Sequence, residues 1–266
     1  KEAGAMADYP LTLANRLRAG ETLLTLWSQI PSEGLLDHLG TSQFEAITLD
    51  MQHGGHNEQT VLDGIATVIR RKKCAIVRVP VGRNDMVSRA LDMGAEAIIS
   101  PMINSVEDAQ AFADAMKYPP MGERSWGATR GVSIRGTEGG NVLLRGGNAD
   151  TVSFAMIETK KAYAALDDIL AIEGIDGVFV GPSDFSISFT DGDQVNASLE
   201  DMMPAIEDIA ARARKAGKFA ATLVLDPADT SRFVGFGYQL IAVGLDTLVI
   251  SAGANDFYAK ARGDGA

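Results

Sequence analysis

The sequence predicts an α/β protein with the fold of a (β/α)8 barrel, the TIM barrel. Eight short apolar segments alternate with segments whose apolar residues have the 3.6-residue spacing of amphipathic helices. The apolar segments are continuous rather than alternating with polar residues, as expected for parallel strands covered on both faces. The length of 266 residues suits one such barrel, which typically needs about 250 residues. We therefore expect one barrel domain over residues 11–266.

Each strand is expected where an apolar segment is long enough to cross the barrel wall. Pro80 ends one of these segments because proline cannot donate a backbone hydrogen bond to a neighbouring strand. An open, doubly wound sheet is the alternative, but no glycine-rich dinucleotide or phosphate-binding motif follows the first strand. The expected strands are Thr22–Gln29, Phe44–Asp50, Cys74–Val79, Ala97–Ser100, Val152–Ile157, Gly177–Val180, Lys218–Leu223 and Leu240–Val243.

The helices are expected between these strands, at boundaries marked by capping residues. Pro31 opens one helix, which Gly40 closes; Gly94 closes another, and Ser105 is the N-cap of a third. The segment 118–150 is rich in glycine and has no clear period, so it is expected to be a long functional or mobile loop. A polar segment is expected at 183–198. The other expected helices are Leu11–Arg18, Glu58–Arg71, Asn84–Met93, Ala162–Ile172, Leu199–Ala216, Ala228–Phe236 and Asp246–Arg262.

The composition excludes several classes of protein. The formal net charge of −11 argues against a nucleic-acid-binding surface. Cys74 is the only cysteine, so a disulfide framework is impossible and a buried structural thiol is expected. No apolar segment reaches the roughly 20 residues of a membrane span, and we expect a cytoplasmic enzyme. Residues 1–10 are expected to be a tail, with Lys1–Ala5 a vector remnant.

Polar side chains collect where the expected strands end, which is where barrel enzymes place their active sites. The segment Thr48–His56 begins in the last residues of the second strand and contains two of the three histidines of the chain. Asp50 is close enough in sequence to His53 to pair with its imidazole ring and fix its orientation. A polar loop with a turn of two glycines is the alternative. His56 is expected to be a solvated turn residue, with a position in a loop over the site as the alternative.

Two carboxylates end adjacent strands and suggest a metal site. Glu158 ends the fifth strand and Asp184 follows the sixth, and no cysteine accompanies them. Oxygen ligands favour a hard divalent cation, Mg²⁺ or Mn²⁺, with Co²⁺ or Zn²⁺ as possible substitutes. Two protein ligands leave positions for water and substrate, which is typical of a catalytic metal. The alternative is that both acids face solvent or helix N-termini.

Two further features suggest a site for an anion. Arg78 ends an otherwise apolar strand, where a guanidinium is costly unless it meets a substrate anion or forms a structural salt bridge. The turn that begins at Gly181 offers backbone N–H groups of Gly181, Ser183 and Asp184 to a carboxylate. Trp27 lies near the end of the first strand and is expected either to wall the pocket or to pack in the core.

These motifs resemble the HpcH/HpaI aldolase family of 4-hydroxy-2-oxoheptanedioate aldolases. The resemblance extends from about Leu23 to Gly244, and the combination of motifs is more specific than any one of them. The Asp-Met-Gln-His-Gly-Gly-His segment is most similar to bacterial hydroxy ketoacid aldolases. The motifs are Asp50-x-Gln-His53, Arg78-Val-Pro80, Leu91-Asp-x-Gly-Ala95, Pro101-Met102, Tyr118-Pro-Pro-x-Gly-x-Arg124, Ile157-Glu-Thr159 and Gly181-Pro-x-Asp184.

The resemblance implies a metal-dependent class II aldolase that makes and cleaves 4-hydroxy-2-oxo acids through a pyruvate or hydroxypyruvate enolate. It implies that Glu158 and Asp184 bind the metal, that Arg78 holds the keto oxygen and the enolate charge, and that the Gly181–Asp184 turn holds the carboxylate. It further implies that His53 transfers protons with Asp50 as its partner. Family members assemble as trimers or hexamers, so the resemblance implies a homo-oligomer, with exchange of the C-terminal helix between subunits as one expected arrangement.

The sequence departs from the family at two positions. Gln52 stands where many members have glutamate, and it is expected to touch the substrate; Met156 stands where some have glutamine. Both changes affect the expected donor preference rather than the reaction class. Two other functions stay open at this point: a lyase acting on a coenzyme A thioester, as in the citrate lyase branch, and a non-catalytic barrel that binds 2-oxo acids. Arg124 could bind an acidic acceptor or contact a second subunit.

Overall fold

Eight parallel strands close into a barrel in the order in which they occur in the chain, with β8 pairing back to β1. The computed structural model describes residues 12–127, 129–130, 133 and 140–263. The expected (β/α)8 fold is confirmed, and three strands have the expected bounds. The strands are β1 Leu23–Ser28, β2 Ala46–Asp50, β3 Cys74–Arg78, β4 Ala97–Ser100, β5 Val152–Ile157, β6 Gly177–Val180, β7 Phe219–Val224 and β8 Leu240–Leu245.

Apolar side chains fill both sides of the barrel wall, which explains why the strands are continuously apolar. Ile76, Phe154 and Phe179 belong to the cluster inside the barrel. A larger cluster lies between the strands and the surrounding helices, where Val77 is one of the buried strand residues. Cys74 is buried as expected, and burial raises the pKa of its thiol far above the usual range. A packed wall of this kind holds the strand ends in fixed positions.

Helices cover the barrel between successive strands, and two of them have the expected bounds, 84–93 and 246–262. Ser105 caps the N-terminus of α5 as predicted, since its side chain accepts a hydrogen bond from Asp108 N. The prediction that Pro31 opens α2 is wrong by two residues, because Ser32 is the N-cap. The helices are α1 Leu13–Arg18, α2 Glu33–Leu39, α3 Glu58–Arg70, α4 Asn84–Met93, α5 Val106–Met116, α6 Gly140–Asp150, α7 Lys160–Ala164, α8 Leu166–Leu170, α9 Pro182–Phe189, α10 Met203–Lys215, α11 Thr230–Phe236 and α12 Asp246–Arg262.

Three helix predictions need correction. The end of the expected long loop is a helix, α6, and its glycines permit close packing against aromatic rings. The expected polar segment 183–198 begins as α9, which Pro182 starts at its first position. The single helix expected over 162–172 is divided into α7 and α8 at Ala165. The predictions for residues 1–10 lie outside the described residues.

The C-terminal helix α12 is largely exposed in the single chain. Leu248, Ile250, Phe257 and Tyr258 all expose 43% or more of their surface, with Phe257 at 79%. Only its first residue, Asp246, is fully buried. Among the described helices, none combines the length and apolarity that crossing a bilayer would require.

Candidate active site

A cavity of about 230 Å³ opens among the C-terminal ends of the strands. His53, Arg78, Glu158 and Asp184 all line it, although they come from four different parts of the chain. Their common location follows from the barrel, because the ends of parallel strands meet on one face. The structure therefore brings together four side chains that the sequence proposed as catalytic or metal-binding.

Glu158 follows β5 and is almost fully buried at the pocket. Its Oε1 accepts a 2.6 Å hydrogen bond from the backbone N of Met102, a residue held at a positive φ of 56°. Burial raises the pKa of Glu158 to about 7; the Met102 hydrogen bond opposes this rise, and the nearby charge of Asp184 adds to it. A carboxylate desolvated in this way beside a second acid gains strongly from a neighbouring cation.

The segment that begins at Gly181 forms another part of the pocket lining. A Cβ atom on Gly181 would lie 2.5 Å from Oε2 of Glu158 and 2.8 Å from Cε of Met156, so a larger residue there would displace the ends of these two side chains. Pro182 then starts α9, and Ser183 and Asp184 occupy its first turn. N–H groups in a first helical turn lack partners within the helix and attract anions. Gly181, Ser183 and Asp184 all line the cavity, and their role in binding a carboxylate stays a prediction.

Arg78 and Asp50 form a buried ion pair behind the pocket. They are partners in register at the ends of β3 and β2. The guanidinium donates from Nε to Asp50 Oδ1 at 2.8 Å and from Nη2 to Oδ2 at 2.7 Å. These bonds use two of the five N–H donors of Arg78, so others stay available to a substrate. The structural salt bridge and the pocket location, which the sequence left as alternatives, are both present.

The predicted pairing of Asp50 with the His53 ring is wrong. Besides Arg78, the Asp50 carboxylate accepts hydrogen bonds from Trp27 Nε1 at 3.2 Å and from the backbone N of Gln52 and of His53. Within the described part of the chain, none of its hydrogen bonds goes to the His53 imidazole. Asp50 is fully buried and does not line the cavity. It therefore orients Arg78 and the backbone of the following turn.

Gln52 does not line the cavity, contrary to the expected substrate contact. Its backbone N bonds to Asp50 Oδ1 at 3.0 Å, while its side-chain Oε1 is buried without a hydrogen-bond partner among the described residues. The bend after β2 brings the neighbouring residue, His53, into the cavity lining instead. Replacing glutamate by glutamine at this position removes a charge close to the site.

His56 is buried, so the expectation of a solvated turn histidine is also wrong. Its Nε2 lies 3.1 Å from Ser28 Oγ, which in turn lies 3.0 Å from Asp246 Oδ2. Burial lowers the pKa of His56, whereas the charges of Asp246 and Asp50 act to raise it. The sequence did not identify Ser28 or Asp246, because neither carries a local motif.

Trp27 has both roles that the sequence left open. Its ring lines the cavity and packs against the ring of Phe179. The guanidinium carbon of Arg78 lies 4.8 Å from the centre of the Trp27 ring. Other lining residues were not predicted, because most of them are apolar and carry no chemical motif. Their signal in the sequence is their position at or near the ends of the strands. They are Gln29, Phe179, Pro182, Leu223, Leu225 and Leu245.

Apart from Arg78, the lysines and arginines of the described residues do not line the cavity. Arg124 is buried and donates to Asp92 at 2.7 Å, with its guanidinium 4.5 Å from the Tyr118 ring centre, so it is not a pocket group. Lys160 bonds to Asp191 at the surface, and Lys218 bonds to backbone carbonyls. Among the described residues, no lysine lines the cavity, so none of them is placed to form a Schiff base with a bound substrate.

The two carboxylates fit a catalytic metal better than a structural one. Within the described ranges, no cluster of three or more His, Cys, Asp or Glu residues is arranged to hold a metal. Glu158 and Asp184 line one cavity, and the charge of Asp184 helps to raise the pKa of Glu158. Two oxygen donors beside an open cavity leave room for water and substrate in a six-coordinate shell.

Comparison with known proteins decides the family. The model of the family described as HpcH/HpaI aldolase/citrate lyase matches residues 23–252. The chain belongs to this family. It is 31% identical over 253 residues to a hydroxypyruvate/pyruvate aldolase of Roseovarius nubinhibens, covering 95% of this chain and 97% of that protein. It is likewise 31% identical over 233 residues to a 2-keto-3-deoxy-L-rhamnonate aldolase of Salmonella gallinarum, covering 88% of this chain and 86% of that one.

Solved structures agree with this assignment at the level of the fold. A crystal structure of an HpcH/HpaI aldolase/citrate lyase family protein from Burkholderia cenocepacia J2315 has a TM-score of 0.84 and 24% identity. The match covers 94% of this chain and 98% of the other. As a member of the HpcH/HpaI family with aldolases as relatives, the chain is an enzyme, a carbon–carbon lyase of the aldolase type.

Proposed function

We propose that the protein is a class II aldolase that uses pyruvate or hydroxypyruvate as donor and an aldehyde as acceptor. Four groups on one cavity carry the proposal: two carboxylates, a guanidinium and an imidazole. Enolate chemistry needs these groups, namely a cation site, a positive charge for the oxyanion and a proton carrier. The donor assignment is supported by the named substrates of the Roseovarius nubinhibens relative.

The donor carboxylate is bound, in this proposal, by the amides of Ser183 and Asp184 at the start of α9. Arg78 shares the negative charge that develops on the keto oxygen. Its side chain is only 10% exposed, and stabilisation by a guanidinium is strongest where bulk water is restricted. Asp50 acts behind Arg78 by holding the guanidinium in place through two hydrogen bonds.

His53 carries the proton in both directions of the reaction. It lines the cavity, and histidine is the side chain that most often transfers protons in enzymes. It takes the proton from C3 of the donor, and it returns a proton when the enolate adds to the aldehyde. The product is a 4-hydroxy-2-oxo acid, and cleavage is the reverse reaction.

The cofactor in this proposal is Mg²⁺ or Mn²⁺ held by Glu158 and Asp184, with Co²⁺ or Zn²⁺ as substitutes. When bound, the cation supplies Lewis-acid chemistry that makes the C3 hydrogens of the donor more acidic. The oxygen donor set favours hard cations, and divalent-metal dependence fits the family. The identity of the metal is therefore part of the proposal.

A coenzyme A thioester lyase is the less supported alternative. Phosphate groups of such a substrate need a cluster of cations near the pocket mouth. Arg78 is the sole Lys or Arg among the described lining residues, and it is already paired. A non-catalytic barrel is disfavoured by the convergence of all four functional groups.

We also propose a homo-oligomer, a trimer or hexamer, in which α12 packs against another subunit. The exposed apolar side chains of α12 support this proposal, since an isolated helix rarely exposes so many.

The cytoplasmic location expected from the sequence stays a prediction.

Deuterium exchange at C3 of pyruvate tests the proposed function without knowledge of the acceptor. We expect exchange in the presence of Mn²⁺ or Mg²⁺, and its loss after treatment with EDTA. No exchange with metal present would contradict the aldolase assignment. Exchange that survives EDTA, together with a covalent adduct of pyruvate and protein after borohydride reduction, would instead indicate a Schiff base.

A further inference from the structure

A hydrogen-bonded chain of three residues lies behind the cavity, and none of the three lines it. His56 is 5% exposed, and Ser28 and Asp246 are fully buried. They come from the segment after β2, the end of β1 and the start of α12. His56 Nε2 lies 3.1 Å from Ser28 Oγ, and Ser28 Oγ lies 3.0 Å from Asp246 Oδ2.

Counting hydrogens gives the direction of each bond. Oδ2 of Asp246 also accepts from the backbone N of Gln29 and of Ile30, both at 3.0 Å, so it acts as a carboxylate acceptor. Ser28 has one hydroxyl hydrogen, which it donates to Asp246. The oxygen of Ser28 must then accept from His56, so the hydrogen of neutral His56 lies on Nε2.

The same three residue types form the triad of serine hydrolases, but here their order differs. In a hydrolase triad the histidine lies between serine and acid, and it removes the serine proton. In this chain Ser28 lies between His56 and Asp246, so its proton is committed to the acid. Ser28 is also fully buried. The arrangement is therefore suited to holding backbone in place rather than to nucleophilic attack.

The backbone that it holds carries His53. At its start, the segment 51–57 is fixed by Asp50 Oδ1, which accepts from the backbone N of His53. In its middle, Gly55 N donates to Gln29 O at 2.7 Å. The packing is tight, because a Cβ on Gly54 would lie 2.5 Å from Asp50 O. At its end, the His56 ring connects it to Ser28 and the buried start of α12.

We infer that His56 is a positioning residue that, through Ser28 and Asp246, fixes the segment 51–57 and so places the His53 ring at the cavity. Because His56 bonds to Ser28, and Ser28 bonds to Asp246, the position of His53 depends on the contact between the end of β1 and the start of α12. The consequence for catalysis rests on the proposed function, whereas the hydrogen-bond directions do not. The inference adds a second support for His53 beside Asp50.

Nuclear magnetic resonance of the protein labelled with ¹⁵N-histidine tests the hydrogen-bond chain without an activity assay. The chain has only three histidines, so the ring signals can be assigned by substitution. We expect His56 in the neutral Nε2–H form at pH 7. Ser28→Ala should change the ring signals of both His56 and His53. An Nδ1–H form of His56, or a His53 signal that does not respond, would overturn the inference.

Two substitutions of His56 test the consequence for catalysis. The amide of His56→Gln can reach the position of Nε2 and donate to Ser28, whereas His56→Asn is too short. We expect His56→Asn to slow metal-dependent C3 exchange by about 10- to 100-fold with pyruvate KM changed by less than about two-fold, because displacing a reacting group costs rate rather than binding. His56→Gln should restore most of the rate.

Equal rates in the two variants, or a fall in melting temperature alone, would contradict the positioning role. Absence of exchange in the unsubstituted enzyme would instead contradict the proposed function, and the resonance measurement would still test the hydrogen-bond chain. If His56→Asn does not fold, Ser28→Ala supplies the same comparison, since it removes the acceptor and keeps the histidine.

Discussion

At the scale of single residues, Asp50 is the group on which most of the site depends. Burial alone would raise the pKa of its carboxyl, but hydrogen bonds and charge from Arg78, with the bond from Trp27, hold that pKa below its ordinary value. The carboxylate thus stays ionised and keeps Arg78 in place. The backbone bonds to Gln52 and His53 connect the same carboxylate to the proton-carrying segment.

The lowered pKa of Asp50 predicts how stability depends on pH. An unfolded aspartate has a pKa of about 3.9, so the folded state gains from the ionised form above about pH 4 and loses this gain as the pH falls below it. Asp50→Asn should lower the free energy of unfolding by about 3–5 kcal/mol at pH 7, because Arg78 loses its buried partner. The difference from the unsubstituted protein should shrink between pH 5 and pH 3.

Urea denaturation at several pH values measures this difference. Asp168→Asn is a suitable control, since Asp168 is an exposed residue of α8. A difference between Asp50→Asn and the unsubstituted protein that stays constant down to pH 3 would show that the Asp50 charge does not contribute as described.

The sequence predicted Asp50 as a site residue but assigned it the wrong partner. His53 is three residues away along the chain, whereas Arg78 is 28 residues away. The barrel register makes Asp50 and Arg78 direct neighbours on adjacent strands, and a buried guanidinium competes strongly for a carboxylate. Such a register depends on the closed barrel, so local spacing could not predict it.

At the scale of elements, α6 is a helix that the sequence did not predict because of its glycines. Gly146 and Gly147 lower its intrinsic helix propensity, so the sequence indicated a loop there. The structure explains Gly147, since a Cβ there would lie 3.0 Å from Cε2 of the buried Tyr118 ring. Tertiary packing decides the structure of this segment.

A pair of alanine substitutions tests this account of α6. Gly146→Ala should raise stability by up to about 1 kcal/mol, because alanine favours helix and the nearest obstacle is only the movable end of Asp150. Gly147→Ala should lower stability, because the Tyr118 ring is held by Arg124 and Trp126. Thermal unfolding of both variants measures the effect, and equal shifts would contradict the packing argument.

The pocket residues at the start of α9 were predicted more accurately than the helix itself. Gly181, Ser183 and Asp184 were identified from a glycine-opened turn at a strand end, and all three line the cavity. The helix was missed because aspartates and serines in the following segment indicate a loop by composition. Gly181 lies close to the Glu158 side chain, a contact across two strands that local sequence does not reveal.

At the scale of the whole molecule, the barrel explains why strand ends could be read as a site. Glu158 and Asp184 follow the paired strands β5 and β6, so their closeness follows from the predicted order of strands. The fold was predictable because alternating apolar strands and amphipathic helices leave few arrangements. The hydrogen-bond network of His56, Ser28 and Asp246 could not be predicted from the sequence, because it joins residues up to 218 positions apart.

The exposed face of α12 predicts the assembly state. Phe257→Asp should shift the protein from a homo-oligomer toward the monomer, because a buried apolar contact between subunits would be replaced by a charge. Val195→Asp is the control, since Val195 is 66% exposed but lies outside α12. Light scattering coupled to size-exclusion chromatography measures the mass. An unchanged oligomer in Phe257→Asp would show that α12 does not form the interface.

The central claim is that Glu158 and Asp184 hold a divalent cation that promotes formation of the donor enolate. The rate of Mn²⁺-dependent deuterium exchange at pyruvate C3, compared between Glu158→Gln and the exposed control Glu107→Gln, tests it most directly. We predict that Glu158→Gln loses at least about 100-fold in rate at equal Mn²⁺, because a metal ligand is removed, whereas Glu107→Gln keeps the unsubstituted rate. Equal rates in the two variants would contradict the account.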